Sequence, residues 1–318
     1  MAATQSPSSA AAHAHQRTVF VFMAVVFAVA PLVVYPMFMM KVMCFALFAC
    51  AFNLLIGYVG LLSFGHAMFF GMASYATAHA ARVWGLTPEL AILFGTAVAT
   101  ALGFVAGSLA IRRLGIYFAM ITLALAQMVF FFCLQAPFTG GEDGIQAVPR
   151  GNLFGVIDLS KPFSMYALVL TVFLGGFLLI QRIVHSPFGQ VLKAIRENES
   201  RAISLGYDVE KYKLVAFVLS AGLAGLAGAT KALVVQLASL TDVHWSMSGE
   251  VVLMSLVGGL GTLFGPVVGA AVIITMQNYL AQLGAWVTVV QGVVFVVCVL
   301  AFRRGIIGEI GHALKKPL

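Results

Sequence analysis

Long apolar runs alternate with short polar stretches along almost the whole chain. A helix needs roughly 20 apolar residues to cross the hydrocarbon core of a bilayer, and ten runs approach that length. We therefore predict an all-α, polytopic membrane protein with about ten transmembrane helices. The predicted spans are 18–35, 38–56, 64–81, 90–110, 115–135, 165–184, 213–235, 248–260, 264–283 and 286–303.

The polar stretches outside these spans define the remaining organisation. Residues 1–17 are rich in Ala and Ser and are expected to form a disordered N-terminus. Residues 18–303 form one predicted transmembrane domain, interrupted by a polar segment at 186–213 and followed by a tail at 304–318. An even number of spans places both termini on the same side of the membrane.

Composition agrees with a membrane protein. The chain is 61% hydrophobic and 9% charged, whereas soluble domains carry about 25% charged residues. The net charge of +7 is scattered over the segments between spans, so we expect lipid rather than nucleic acid as its partner. The four cysteines lie in apolar segments without ligand spacing, and neither a disulfide nor a metal site is expected.

The distribution of basic residues predicts the orientation. Lys and Arg favour the cytoplasmic side of membrane proteins, and the ten-span topology places most of the 18 Lys and Arg on the side that carries 186–213. That side, and both termini with it, is therefore predicted to be cytoplasmic. The residues on it are Arg17, Arg112, Arg113, Arg182, Lys193, Arg196, Arg201, Lys211, Lys213, Arg303, Arg304, Lys315 and Lys316.

The polar segment 186–213 reads SPFGQVLKAIRENESRAISLGYDVEKYK. Ser186 is a good helix cap, Pro187 suits a first helical turn, and Gly206 is a plausible helix stop. Apolar residues recur between them at helical spacing, so we predict an amphipathic helix outside the bilayer. A rigid exposed element of this kind suits a machine driven by a soluble partner. The alternative is a basic helix lying on the lipid surface.

Two regions do not fit simple spans, because each has a polar or glycine-rich break followed by an apolar half-span, near the starts of the two halves of the chain. They read NLLIGYVGLLSFGHAMFFGMASY (53–75) and SLVGGLGTLFGPVVGAAV (255–272). Interrupted spans of this kind point to a substrate path, because broken backbone is tolerated in a bilayer only inside protein or along a cavity. The alternative is close helix packing through small residues. The path candidates are Asn53, Gly57, Ser63, Gly65, His66, Tyr75, Tyr117, Thr122, Gln127, Gly258, Gly259 and Gly261.

The spans lack the buried carboxylate pairs that ion-coupled carriers use, which favours an energy source outside this chain. A lone His66 beside a helix break is more typical of a structural hydrogen bond than of a proton relay. The chain has no phosphate-binding loop of the form GxxxxGK[ST] and no recognisable catalytic set. We therefore expect a transport subunit rather than an enzyme, without a cofactor.

Several motifs together resemble the LivM-type permeases of branched-chain amino acid ABC importers. They are the 53–75 stretch, GIYFAMITLALAQ followed by TGGEDGI, SPFGQVLKAIRENESRAISLG followed by LVAFVLSAGLAGLAGA, and LVGGLGTLFGPVVGA. The resemblance covers about residues 40 to 305, in the order that the family shows.

The resemblance implies a multi-subunit importer in a bacterial inner membrane. Its partners would be a LivH-type sister permease, two cytoplasmic ABC ATPase subunits and a periplasmic substrate-binding protein. The segment Pro187 to Gly206 would be the coupling helix that enters an ATPase cleft. The wider importer consensus there is E-A-A-x-x-x-G. This chain keeps only Ala202 and Gly206 of it, since Ser200 and Arg201 occupy its first two positions. The coupling candidates are Pro187, Phe188, Gly189, Arg196, Glu197, Asn198, Ala202 and Gly206.

The resemblance implies branched-chain amino acids as cargo, moved by alternating access between two permeases. Urea, amides or other amino acids are alternatives within the same class, because selectivity in such importers rests largely with the binding protein. A self-sufficient channel or facilitator is the alternative from another class. It would require the glycine breaks to form a continuous pore and would leave 186–213 as a lipid-facing helix.

Overall fold

A computed structural model describes residues 9–113, 115–281, 284, 286–301 and 305–313. Helices dominate them, and the longer ones coincide with the predicted spans. The helices are α1 (Ser9–Val29), α2 (Pro36–Tyr58), α3 (His66–Arg82), α4 (Pro88–Ala110), α5 (Ile116–Gln135), α6 (Pro162–His185), α7 (Pro187–Glu197), α8 (Glu199–Ser204), α9 (Val209–Val235), α10 (Leu240–Val243), α11 (Trp245–Gly258), α12 (Gly265–Leu280), α13 (Trp286–Ala301) and α14 (Gly305–Ala313).

Among the described residues, five helices are long and apolar enough to cross a membrane: α2, α4, α5, α6 and α9. Shorter apolar helical stretches lie at Thr18–Leu32, Gly265–Leu280 and Val289–Cys298. The all-α, polytopic class is thus confirmed, while the number of ten spans stays a prediction. Proline at the first turn starts α2, α4 and α6, where its missing N–H is not needed.

Helices α2 and α9 form the centre of the molecule, with α3, α4, α6, α11 and α12 around them. α2 is apolar on all sides, which is typical of a helix enclosed by other helices. Small residues bring the helices close together, as at Gly103 against Ala221 and Gly225 against Ala99. Gly225 therefore allows close packing of α9 on α4.

The helix ends define two faces. The coupling face carries both glycine breaks (59–64 and 259–264), α7 and α8. The opposite face carries residues 136–161 and 236–244. On the opposite face, strand β1 (Ile145–Gln146) pairs with β4 (Leu237–Ala238), with Ile145 opposite Ala238. Strands β2 (Asn152–Leu153) and β3 (Ile157–Asp158) form a separate hairpin.

The structure changes the expectation for the N-terminus and describes part of the C-terminal tail. α1 begins at Ser9, so the expected disorder of 1–17 is wrong for residues 9–17, because four alanines there favour a helix. Residues 1–8 and 314–318 lie outside the described part of the chain. Within the expected tail, α14 packs against α11 and α12, and Gly305 lies against the backbone of Gly259.

Gly228 provides a direct test of the close packing around α9. A Cβ atom at Gly228 would overlap the Phe70 carbonyl oxygen of α3, which is backbone and cannot rotate away. We expect Gly228→Ala to destabilise the protein by about 1–3 kcal/mol through overpacking, seen as a lower melting temperature in detergent. Gly175→Ala is the matched control, because nothing lies within 4 Å of a Cβ there. An equal effect of the two substitutions would contradict the packing.

Candidate functional site

The turn from α6 into α7 is built as the sequence indicates. Ser186 caps α7, and its Oγ accepts a hydrogen bond from the Gly189 N–H at 3.2 Å. Pro187 occupies the first turn. Gly189 is buried, and a Cβ there would overlap the carbonyl oxygens of Ile183 and Val184. The two helices can therefore meet this closely only with glycine at position 189.

The apolar face of α7 packs on the protein itself. Leu192 and Ile195 are buried, and the ring of Phe188 stacks on Tyr212 of α9 at 5.5 Å between centroids. Ile195 forms a small cluster with Ala202, and both lie in residues 187–206, which we call the coupling segment. This face is therefore covered by the protein's own helices, which does not favour the alternative in which the helix lies on lipid.

The predicted single amphipathic helix is wrong in one respect, because the segment folds as two helices. Asn198 has extended backbone between them, and its side chain caps α8 by accepting from the Arg201 N–H at 3.0 Å. Gly206 follows α8 with φ +86°, a left-handed conformation that favours glycine, as the prediction of a helix stop requires. Glu197 and Asn198 are both exposed at the break.

An ion pair ties α8 to the start of α9. Lys213 Nζ lies 2.6 Å from Glu199 Oε1, and the Lys213 side chain is only 4% exposed. Asp208 caps α9 by accepting from the Lys211 N–H. Hydrogen bonds from the Lys211 side chain and backbone lower the pKa of Asp208, so its carboxylate stays charged at neutral pH. The coupling segment is thereby fixed to the first turns of a 27-residue helix.

Arg196 connects the coupling segment to both glycine breaks. Its guanidinium donates a hydrogen bond to the Gly57 carbonyl oxygen in the last turn of α2. The same guanidinium lies against Gly261 in the second break, and the side-chain stem of Arg196 lies against Gly60 in the first. One side chain of α7 thus contacts the two interrupted regions that the sequence marked separately.

Asn53 joins the C-terminal part of α2, just before the first break, directly to the second break. Its Nδ2 donates to the Thr262 carbonyl at 2.8 Å, and its Oδ1 accepts from the Gly261 N–H at 3.0 Å. A Cβ at Gly57 would collide with Asn53 and with the Gly261 nitrogen. Asn53, Gly57 and Gly261 therefore form one cluster with Arg196, which we call the break cluster.

The first break is held by α5. The Thr122 hydroxyl accepts from the Phe64 N–H at 3.2 Å, and Ser63 Oγ accepts from the Gly65 N–H at 3.2 Å. Ser63 and Thr122 are fully buried. These candidate path residues are thus brought together, and the contacts that they make are within the protein.

His66 starts α3 in a buried hydrogen-bond chain. The Ser220 hydroxyl donates to the Ala51 carbonyl at 2.6 Å, so the 2.8 Å contact between His66 and Ser220 assigns the proton to His66 Nε2. Phe52, Phe69 and Phe217 surround the imidazole edge-on. This environment agrees with the structural role that the sequence favoured for His66.

The other path candidates are not part of these clusters. Tyr117 is exposed at the start of α5, Gln127 is half-buried further along it, and Tyr75 is buried in α3. Gly258 lies where α11 meets α12, and a Cβ there would overlap the Gly265 carbonyl, which fits close packing. Gly259 has φ +124° in the turn that follows.

An apolar cavity of about 480 Å³ opens beside the first break. It lies between that break and the N-terminal half of α5, and none of the described residues that line it is charged. Its lining residues are Gly60, Leu61, Leu62, Phe64, Gly115, Ile116, Phe118, Ala119, Met120 and Leu123.

The opposite face contains a buried ion pair that the sequence analysis did not identify. Lys231 Nζ lies 2.6 Å from Asp242 Oδ2, and the two side chains are 8% and 4% exposed. Arg150 of the long connecting segment donates to the Val234 carbonyl at 2.8 Å. These bonds, together with the β1–β4 pair, fix residues 145–150 and α10 to the C-terminal end of α9.

Comparison with known proteins identifies the family. A family model described as "Branched-chain amino acid transport system / permease component" matches residues 34–299, which include both breaks and the coupling segment. No solved structure matches the chain.

Three relatives illustrate the range of the similarity. The high-affinity branched-chain amino acid permease LivM of Escherichia coli is 25% identical over 297 residues, covering 86% of this chain and 70% of that protein. The probable LivM of Methanocaldococcus jannaschii is 25% identical, covering 68% and 72%. The ribose import permease RbsC of Bacillus subtilis is 29% identical, covering 70% of both chains. This chain is therefore a multi-pass membrane protein that belongs to the family of permease components of branched-chain amino acid transport systems, and its resemblance to LivM-type permeases is confirmed.

Proposed function

We propose that this chain is one permease subunit of an ATP-driven importer and moves branched-chain amino acids by alternating access. The observation that carries the proposal is the contact of Arg196 with both glycine breaks. A displacement of α7 must move or break these contacts, so it acts on the ends of α2 and α11 together. This is how a helix outside the bilayer can open or close a path within it.

The surface of α8 supports a soluble ATPase as the source of that displacement. Ile203 of α8 and Leu205 just after it are 59% and 69% exposed on the coupling face, outside the long apolar helices. Exposed apolar side chains flanked by charged residues are typical of a docking site. We assign this surface, with the break at Asn198, to the cleft of one cytoplasmic ABC ATPase subunit. Both termini are then cytoplasmic, and the membrane is the bacterial inner membrane.

Helix α9 connects that surface to the other side of the membrane. Lys213 fixes its first turns to the coupling segment, while Arg150 and Asp242 fix its last turns to the opposite face. In the proposed importer, a periplasmic binding protein delivers cargo at the opposite face. Because α9 is continuous over 27 residues, it provides a rigid connection between delivery of cargo and the ATPase.

The apolar cavity supports an aliphatic cargo. Its lining combines glycine with apolar side chains, which suits the side chains of leucine, isoleucine or valine. The cavity is only partly enclosed by this chain, and a LivH-type sister permease would close its open side. The similarity to a ribose permease favours sugars as a second class of cargo. Calorimetric titration of the cognate binding protein with leucine, urea and ribose distinguishes these cargo classes.

Docking of the ATPase is tested by charging the exposed surface of α8. We expect Ile203→Asp combined with Leu205→Asp to abolish co-purification of the ATPase subunits, because docking would then bury two unpaired carboxylates. Arg113→Asp, on a different exposed loop of the coupling face, is the control and should leave co-purification intact. Full ATPase recovery with the double variant would contradict the assignment of this surface.

A further inference from the structure

The hairpin β2–β3 exposes an apolar tip outside the membrane-spanning helices. Phe154 and Val156 are 74% and 85% exposed, and Ile157 beside them is 46% exposed. Connecting segments that face water are usually polar, with glycine, asparagine or aspartate at the tip. Here the tip instead presents its bulkiest apolar residues outward.

The backbone at the tip holds the phenylalanine in place. Phe154 has φ +51°, a conformation that bulky side chains rarely adopt, and Gly155 follows with φ +73°. The Val156 N–H donates to the Leu153 carbonyl at 3.1 Å and closes the turn. The strand pair below the turn therefore fixes the direction in which Phe154 points away from the protein.

The hairpin lies level with the ends of two long apolar helices. The Phe154 N–H donates to Glu89 Oε1 at 3.3 Å, and Glu89 is in the first turn of α4. A Cβ at Gly151 would lie 3.3 Å from Pro88, the first residue of α4. α6 begins at Pro162, four residues after the hairpin. Because α4 and α6 are each long and apolar enough to cross the bilayer, their first turns place the tip near the lipid boundary.

Other exposed aromatic residues occupy the same level. Phe163 in the first turn of α6 is 65% exposed, and Trp84 just after α3 is 55% exposed. Aromatic side chains are enriched at this level of a membrane, where the headgroups meet the acyl chains. Lys161, exposed between the hairpin and α6, can bind a lipid phosphate.

We propose that the tip of the β2–β3 hairpin inserts into the bilayer on the opposite face, with Phe154 and Val156 among the upper acyl chains. The occupant of this surface is lipid, because the helices that fix the height of the hairpin are themselves surrounded by lipid. The inserted hairpin anchors the segment that Arg150 ties to α9. This proposal depends only on membrane insertion of the chain and not on the cargo or the ATPase.

Spin labels at the tip test the proposal in the full-length chain. The background is Cys298→Ser, since the other three cysteines are buried. Phe154→Cys and Val156→Cys are labelled and reconstituted in vesicles of phosphatidylethanolamine and phosphatidylglycerol. Asp143→Cys, exposed earlier in the same connecting segment and outside the hairpin, is the matched control. Collision rates with oxygen, which concentrates in lipid, and with a water-soluble nickel chelate are then measured.

We expect the ratio of oxygen to nickel collisions to be several-fold higher at positions 154 and 156 than at position 143. Two positions are labelled because a substitution at one of them can change the turn. The label at the other position then still reports whether the tip is in lipid. Free access of the nickel chelate to both positions would overturn the proposal. Low collision rates with both reagents would also overturn it, because they would show that protein, and not lipid, covers the tip. If the nickel chelate were excluded from both positions only after a soluble binding protein is added, this result would also overturn the proposal.

Discussion

Arg196→Glu is expected to abolish ATP-driven uptake while the chain still inserts and assembles. The substitution removes the donor to the Gly57 carbonyl and places a carboxylate near that carbonyl oxygen. A hydrogen bond from a charged donor contributes about 1.5–3 kcal/mol, so its loss alone corresponds to about a tenfold to hundredfold fall in rate. Repulsion between the carboxylate and the Gly57 carbonyl adds to this loss.

Uptake of labelled cargo and ATP hydrolysis are measured together in proteoliposomes that contain the assembled importer. ATP hydrolysis should continue in the variant, because Arg196 acts between the docking surface and the breaks. Gln190→Glu, on the exposed side of the same helix, is the control for added negative charge. Undiminished uptake with Arg196→Glu would show that α7 acts on the spans by another route.

Asp242→Asn is expected to have the largest effect on stability. It leaves the ammonium of Lys231 almost fully buried without its carboxylate partner. Breaking a buried ion pair in this way costs about 3–5 kcal/mol, whereas replacing both partners by apolar residues is often neutral. We therefore expect Asp242→Asn to lower the melting temperature strongly and Lys231→Met combined with Asp242→Leu to recover much of the loss.

The exposed pair between Lys211 and Asp208 provides the matched control. Its side chains are 81% and 50% exposed, and exposed ion pairs contribute at most about 1 kcal/mol. Lys211→Gln should therefore change the melting temperature little. If Asp242→Asn lowered the melting temperature as little as Lys211→Gln, the Lys231–Asp242 pair would not be what fixes α10 to α9.

Local signals in the sequence predicted much of the fold. Hydrophobic run lengths give the positions of the long helices, and Ser186, Pro187 and Gly206 correctly mark where the coupling segment begins and ends. Each of these features depends on residues close in sequence. The helix break at Asn198 is also local, but its cap lies within a uniformly polar stretch and produces no change in periodicity.

The break cluster could not be predicted from sequence, because its bonds join distant residues. Asn53 and Thr262 are separated by 209 positions, and Arg196 and Gly57 by 139. The glycine breaks indicated where the backbone is irregular, but not that one arginine would contact both. Lys231 lies in a predicted span and Asp242 in the stretch after it, so the sequence did not indicate that they pair. Their side chains are buried in a structure in which α10 packs against α3.

The location of the coupling segment tests the account most directly. Ser204→Cys in the Cys298→Ser background places an exposed thiol on α8, and Asn152→Cys places one on the opposite face. A membrane-impermeant thiol reagent is applied to intact cells and to inverted vesicles. The account predicts that position 152 reacts in intact cells, that position 204 reacts only in inverted vesicles, and that bound ATPase protects it. Reaction of position 204 from outside intact cells would contradict the account, because no cytoplasmic ATPase could then reach the segment.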